Sequence, residues 1–126
     1  MKFLESFDLF GGEWEKVTRG NFQDTINHML HSEPTENERL KIENIFQKHF
    51  NPHNTYKNWP KIEIWTKQGT EYYYTTINVE EIIFIYSFED DWYFIENYNQ
   101  ETMVSQYYKC DGLKGIQKCL EDNFQQ

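Results

Sequence analysis

Apolar positions in the first half of the chain recur at helical spacing, and in the second half the period shortens to that of strands. In FLESFDLF, Phe3, Phe7 and Phe10 fall at steps of four and three before Gly11 and Gly12, which predicts one or two helical turns closed by glycine. A short extended piece follows around EWEKVT. From Asn21 a firmer helix is predicted, because Phe22, Ile26, Met29 and Leu30 gather on one face at 3.6 residues per turn. The stretch SEPTENE starts another: Ser32 or Thr35 caps, Pro34 suits a first turn, and Glu36 and Glu38 favour the positive end of the helix dipole. That helix runs to about Phe50 with Ile42, Ile45, Phe46 and Phe50 turned inward, and Asn51 and Pro52 end it. The polar run NPHNTYKNWP is a connector.

From Lys61 onward the segments KIEIWT, EYYYTTI, IIFIYSF, WYFIENY and TMVSQYYK are short, β-branched and aromatic, with brief polar breaks between them. Parallel neighbours would need long crossovers, so closely spaced strands predict an antiparallel meander of five, with EWEKVT as a candidate sixth. A turn at Gln68 and Gly69 pairs Trp65 with Tyr72 and Ile64 with Tyr73. A loop of Glu89, Asp90 and Asp91 pairs Phe88 with Trp92 and Tyr86 with Phe94. Asp111 is placed to cap a closing helix with Leu113, Ile116, Leu120 and Phe124 on one stripe. The expected architecture is α+β over residues 1–126 as one domain: N-terminal helices, a five-stranded antiparallel meander, and a C-terminal helix.

The strands lack the alternation of apolar and polar residues that marks a sheet with one wet face. Trp65, Tyr72 and Tyr74 share one side, Ile62, Ile64 and Tyr73 the other, and both are apolar or aromatic. Something must cover the second face: helices divided between the two sides, a ligand, or a partner protein. Composition sharpens this point, since 4 Trp, 9 Tyr and 10 Phe make 18% of the chain aromatic. A chain so rich in rings has the apolar surface to offset the entropy of folding, and disorder is excluded.

The 21 acidic residues outweigh 12 basic ones for a net charge of -9, which argues against direct phosphate binding to nucleic acid and favours a basic partner. No apolar stretch is long enough to span a bilayer, and the first residues form no signal-like apolar core, so a cytoplasmic protein is expected. Cys110 and Cys119 match no metal or redox spacing and read as reduced thiols, Cys119 on the apolar side of its helix. Neither a metal nor another cofactor is expected.

Candidate chemistry is sparse. His28 and His31 fall on the solvent side of their helix, and His53 lies beyond Pro52, out of helical phase with His49. His49 itself points inward among Ile45, Phe46 and Phe50, either tied to a backbone carbonyl or a tyrosine, or acting as a general base. Nucleophile, phosphate-loop and metal-binding motifs are missing from the sequence. The acids Glu89, Asp90 and Asp91 suit a hairpin tip, a cation site, or the rim of a site for a basic partner, the hairpin tip being the reading that turn chemistry favours.

One short segment carries a family likeness. Phe10, Gly12, Trp14, Val17, Asn21, Phe22 and Asp24 resemble the first strand and following helix of lipocalin-like proteins, especially the fatty-acid-binding family, over 15 of 126 residues. The resemblance implies a closed barrel around an apolar ligand. The reading preferred from the residues is a non-enzymatic acidic protein-binding module, of the inhibitor, immunity or viral and phage accessory type. Trp65, Tyr72, Tyr74 and Trp92 would anchor the partner, and Glu89, Asp90 and Asp91 would line the rim. An apolar-ligand carrier and a small enzyme using His49 are the alternatives.

Overall fold

The computed structural model describes residues 12–28, 35–55, 57, 63–67, 70–78 and 80–124, apart from the side chains of 64–67 and 70–74. The expected turns over Phe3, Phe7 and Phe10, the apolar positions Met29 and Leu30, the histidine His31, and the alternative cap Ser32 lie outside the described residues. In chain order the elements are β1 (Trp14–Val17), α1 (Arg19–His28), α2 (Glu36–Phe50), β2 (Glu63–Lys67), β3 (Thr70–Thr76), β4 (Glu81–Phe88), β5 (Trp92–Asn99), β6 (Val104–Asp111) and α3 (Gly112–Asn123). The strands form one antiparallel sheet in the order β1-β6-β5-β4-β3-β2. Five consecutive strands make the meander, and the sixth, β1, returns from the far side of the sequence to pair with β6. Among the described residues β1 and β2 stand at opposite ends of this order and do not pair, unlike the closed barrel that the lipocalin-like segment implies.

The expected turn at Gln68 and Gly69 lies outside the described residues, but the strand pairings expected on either side of both turns are present. Trp65 pairs with Tyr72 and Ile64 with Tyr73. Phe88 pairs with Trp92 and Tyr86 with Phe94. At the second turn Asp90 and Asp91 have φ of 65° and 56°, a left-handed pair whose twist matches that of the strands it joins.

Alternation then sorts the strand residues into two cores. Ile83 and Ile85 of β4, Tyr93 and Ile95 of β5, and Tyr108 and Cys110 of β6 face Ile42, Phe46 and Phe50 of α2 and Ile116, Cys119 and Leu120 of α3. On the other side Tyr86, Phe88, Phe94 and Tyr107 pack with Phe22 of α1. The Phe22 ring lies 4.4 Å from Tyr107, 5.1 Å from Tyr86 and 5.3 Å from Phe94. The helices are therefore divided between the faces, which is why the strands show no polar side.

Helix starts explain themselves locally. Thr35 and Glu38 form a reciprocal capping box on α2, and the Glu38 carboxylate also receives the Tyr93 hydroxyl at 2.7 Å, tying the cap to the sheet. Helix α1 begins two residues earlier than its apolar stripe predicts, at Arg19, because the Thr18 hydroxyl accepts the Asn21 amide at 3.1 Å. Asp111 occupies the cap position of α3 but makes no side-chain capping bond. Its backbone serves β1 instead: its N–H donates to the Glu13 carbonyl at 2.9 Å and its carbonyl accepts from Gly12 at 3.2 Å. Strand β6 starts two residues late, at Val104, because the Asn99 side chain accepts the Glu101 and Thr102 amides and holds a turn there.

Candidate functional site

Helix α1 covers only part of its face. Beside it lies a groove of about 720 Å3 whose wall is Phe22, Gln23, Ile26 and Asn27 with Arg19 at the helix start. Its floor is Tyr86 of β4, Glu96 and Tyr98 of β5, and Ser105 and Tyr107 of β6, and its rim is Met103 and Val104. The floor is built by register: Glu96 pairs with Tyr107 and Tyr98 with Ser105, so the two rows stand side by side on one face. Met103 and Val104 are 74% and 58% exposed, and Met103 holds a left-handed φ of 62° although it is neither glycine nor asparagine. Its N–H donates to the Asn99 carbonyl at 2.8 Å, so this left-handed residue closes the β5–β6 turn.

Glu96 is the charged centre of the floor. Its Oε1 accepts the Tyr86 hydroxyl at 2.9 Å and its Oε2 accepts the Ser105 hydroxyl at 2.6 Å. Burial raises the pKa of Tyr107 above its usual value, with the Glu96 charge adding to the effect and Ser105 and Arg19 opposing it. Phenol and carboxylate thus form one hydroxyl-rich, electronegative floor beside the mixed apolar and polar wall of α1.

The residues singled out in the sequence are spread over three places. Trp65, Tyr72 and Tyr74 stand in the β2–β3 hairpin, with Tyr74 paired to Phe84, and their side chains lie outside the described set. Trp92 is half-buried: it stacks on Phe88 at 4.3 Å and lies 4.9 Å below the Lys109 ammonium, so its ring serves the protein's own second core. Glu89, Asp90 and Asp91 are exposed at the β4–β5 turn. Sequence reasoning missed Glu96, Tyr98, Met103 and Val104. The signal was present in the register, because extending the predicted Tyr86–Phe94 pairing along β5 brings Glu96 and Tyr98 to the same side as Tyr86.

His49 is partly buried, and its Nε2–H donates to the Phe124 carbonyl at the end of α3, the backbone tie foreseen for it. It also lines a second groove, of about 400 Å3, between α2 and α3 with Lys41, Lys48 and Glu121. His28 is exposed and held by the Asp24 carbonyl at 2.9 Å. Cys110 and Cys119 are buried and not disulfide-bonded, and burial together with the neighbouring Cys119 pushes the Cys110 thiol well above its usual pKa. Among the described residues no group of three His, Cys, Asp or Glu side chains is placed to hold a metal ion, and no helix is long and apolar enough to cross a membrane.

Comparison with protein-family models, with curated proteins and with solved structures gave no match to this chain.

Proposed function

We propose that the protein is a non-enzymatic, acidic binding module that acts by occupying a protein partner, as inhibitors, immunity proteins and viral or phage accessory proteins do. The observation that carries this reading is the pair of adjacent apolar side chains, Met103 and Val104, exposed at the rim of a groove floored by tyrosines. Exposed apolar surface beside tyrosine is the composition of an interface centre, where rings supply area at little entropic cost. The net charge of -9 steers a basic partner toward the molecule before that surface is buried. Within this reading the contact surface is the groove, with Tyr98, Met103 and Val104 as anchors. Trp65, Tyr72 and Tyr74 remain proposed contacts on the neighbouring hairpin, and Glu89, Asp90 and Asp91 proposed rim charges. Trp92 becomes a structural residue whose loss weakens the fold first.

The test is affinity capture from the source cells with wild-type protein, Val104→Asp and Tyr98→Ala, followed by binding kinetics on the captured partner. Each substitution should weaken binding by about 2 kcal/mol, roughly thirtyfold, while leaving the thermal midpoint near wild type. Association should slow as salt is raised. Equal affinity of the Val104→Asp protein, or an association rate indifferent to salt, would refute the reading.

A further inference from the structure

Glu96 holds a carboxylate on the groove floor. It is partly buried on a floor of rings, and its two hydroxyl partners orient it without supplying positive charge. Among the described residues its carboxylate forms no ion pair. A carboxylate withdrawn from water is costly unless a cation and further hydrogen bonds compensate. Each oxygen accepts a single hydroxyl and keeps capacity for a second donor.

We propose that Glu96 is the anchor for a basic side chain of the partner, a lysine ammonium or arginine guanidinium seated in the groove against Tyr86, Tyr98 and Tyr107. The inference rests on the protein-binding reading of this groove and adds its specificity. Aromatic rings attract a cation through the negative potential of their faces, and a carboxylate within the same enclosure adds a directed, charge-assisted hydrogen bond. The volume of about 720 Å3 exceeds what one side chain fills, so residues flanking the cation meet Ile26, Met103 and Val104. Overall charge agrees, because a net charge of -9 draws basic segments toward the surface.

Arg19 lines the same groove and is the argument for an anionic occupant instead. Arg19 is exposed whereas Glu96 is partly buried. The more desolvated charge gains more from a partner, so Glu96 decides the sign of the occupant. Arg19 then acts as a mild repulsive gate at the α1 end of the groove.

The experiment is a titration of the full chain followed by NMR of the tyrosine rings and of the Glu96 and Tyr98 amides. The probes are Nα-acetyl-lysine methylamide and Nα-acetyl-arginine methylamide, with Nα-acetyl-norleucine methylamide as the uncharged counterpart. Saturable shifts at Tyr86, Tyr98 and Tyr107 are expected with at least one cationic probe and not with norleucine. Glu96→Gln, which keeps shape and hydrogen-bonding capacity, should weaken that binding about tenfold or more with an otherwise unchanged spectrum. Arg19→Gln should leave it unchanged or tighten it. The proposal is overturned if no probe shifts the rings, if norleucine binds as well, if Glu96→Gln binds like wild type, or if Arg19→Gln abolishes binding. Should the captured partner be lost by Val104→Asp yet held at full affinity by Glu96→Gln, the docking reading stands and this anchor is refuted.

Discussion

Replacing Gly115 with alanine sets two effects of opposite sign against each other, and the structure says which wins. Gly115 lies in the first half of α3, where alanine is intrinsically better than glycine by about 1 kcal/mol. A Cβ at this position would stand 2.7 Å from the Glu13 carbonyl oxygen and 3.2 Å from the Cys110 carbonyl carbon. Both are backbone atoms, so no side chain can swing away. Relief requires α3 to move off the β1–β6 seam or Glu13 to move off α3. Overpacking of this kind costs about 1–3 kcal/mol. Displacing Glu13 also disturbs the bond its carbonyl accepts from the Asp111 amide at 2.9 Å, worth about 1 kcal/mol. The net expectation is that Gly115→Ala destabilises the protein by about 1–2 kcal/mol despite the helical gain. Urea unfolding followed by tryptophan fluorescence measures this directly, and Trp14, whose indole N–H donates to Asp122 of α3 at 2.7 Å, reports on the same seam. Gly20→Ala is the control, since a Cβ there meets nothing closer than the Thr18 hydroxyl at 3.9 Å and should stabilise by a few tenths of a kcal/mol, ~0.5. A Gly115→Ala protein as stable as wild type or more so would refute the close approach of α3 to β1.

Thr35→Ala removes the hydroxyl that accepts the Glu38 amide at 3.0 Å, and should lower the free energy of unfolding by about 1 kcal/mol, with Thr35→Ser near wild type in the same urea assay. Alkaline pH should weaken the fold. Burial raises the Cys110 thiol above its ordinary 9.0 and, to a lesser degree of enclosure, the Tyr107 and Tyr108 phenols above 10.0. A raised value means that the folded chain holds its proton while the unfolded chain releases it. The stability from these groups is therefore complete below the ordinary values and declines as pH rises past them. Urea midpoints compared on either side of pH 9.0 should fall, and Cys110→Ala should remove up to about 1.4 kcal/mol per pH unit from that slope.

What the sequence could reveal was governed by how local the cause was. Thr35 and Glu38 are three residues apart, and the turn acids at Glu89, Asp90 and Asp91 set the pairing of Phe88 with Trp92, so α2 and the β4–β5 hairpin were legible with their register. The pairing of β1 with β6 was not, because nothing near Trp14 or Cys110 names a partner so far along the chain. The same limit hid the groove. Its floor comes from three strands and its wall from α1, and the assignment of α1 to the face opposite α2 and α3 is decided by packing alone. The place of Trp92 is likewise set by packing: it is half-buried and stacks face to face on Phe88 at the margin of the second core, which no local pattern at the charged turn announces.

The short strand β1 is also a guard against self-association. It pairs with Tyr107, Tyr108, Lys109 and Cys110, the half of β6 nearest α3. Its own outer edge is four residues long and carries exposed Glu15 and Lys16, whose opposite charges and brevity give a neighbouring molecule little to add to. Taking β1 away would bare the N–H and C=O groups of a strand that bears Tyr107 and Tyr108, a ready template for strand addition. Loss of the segment before Thr18 should thus convert a stability defect into a concentration-dependent one, with oligomers forming before the chain unfolds.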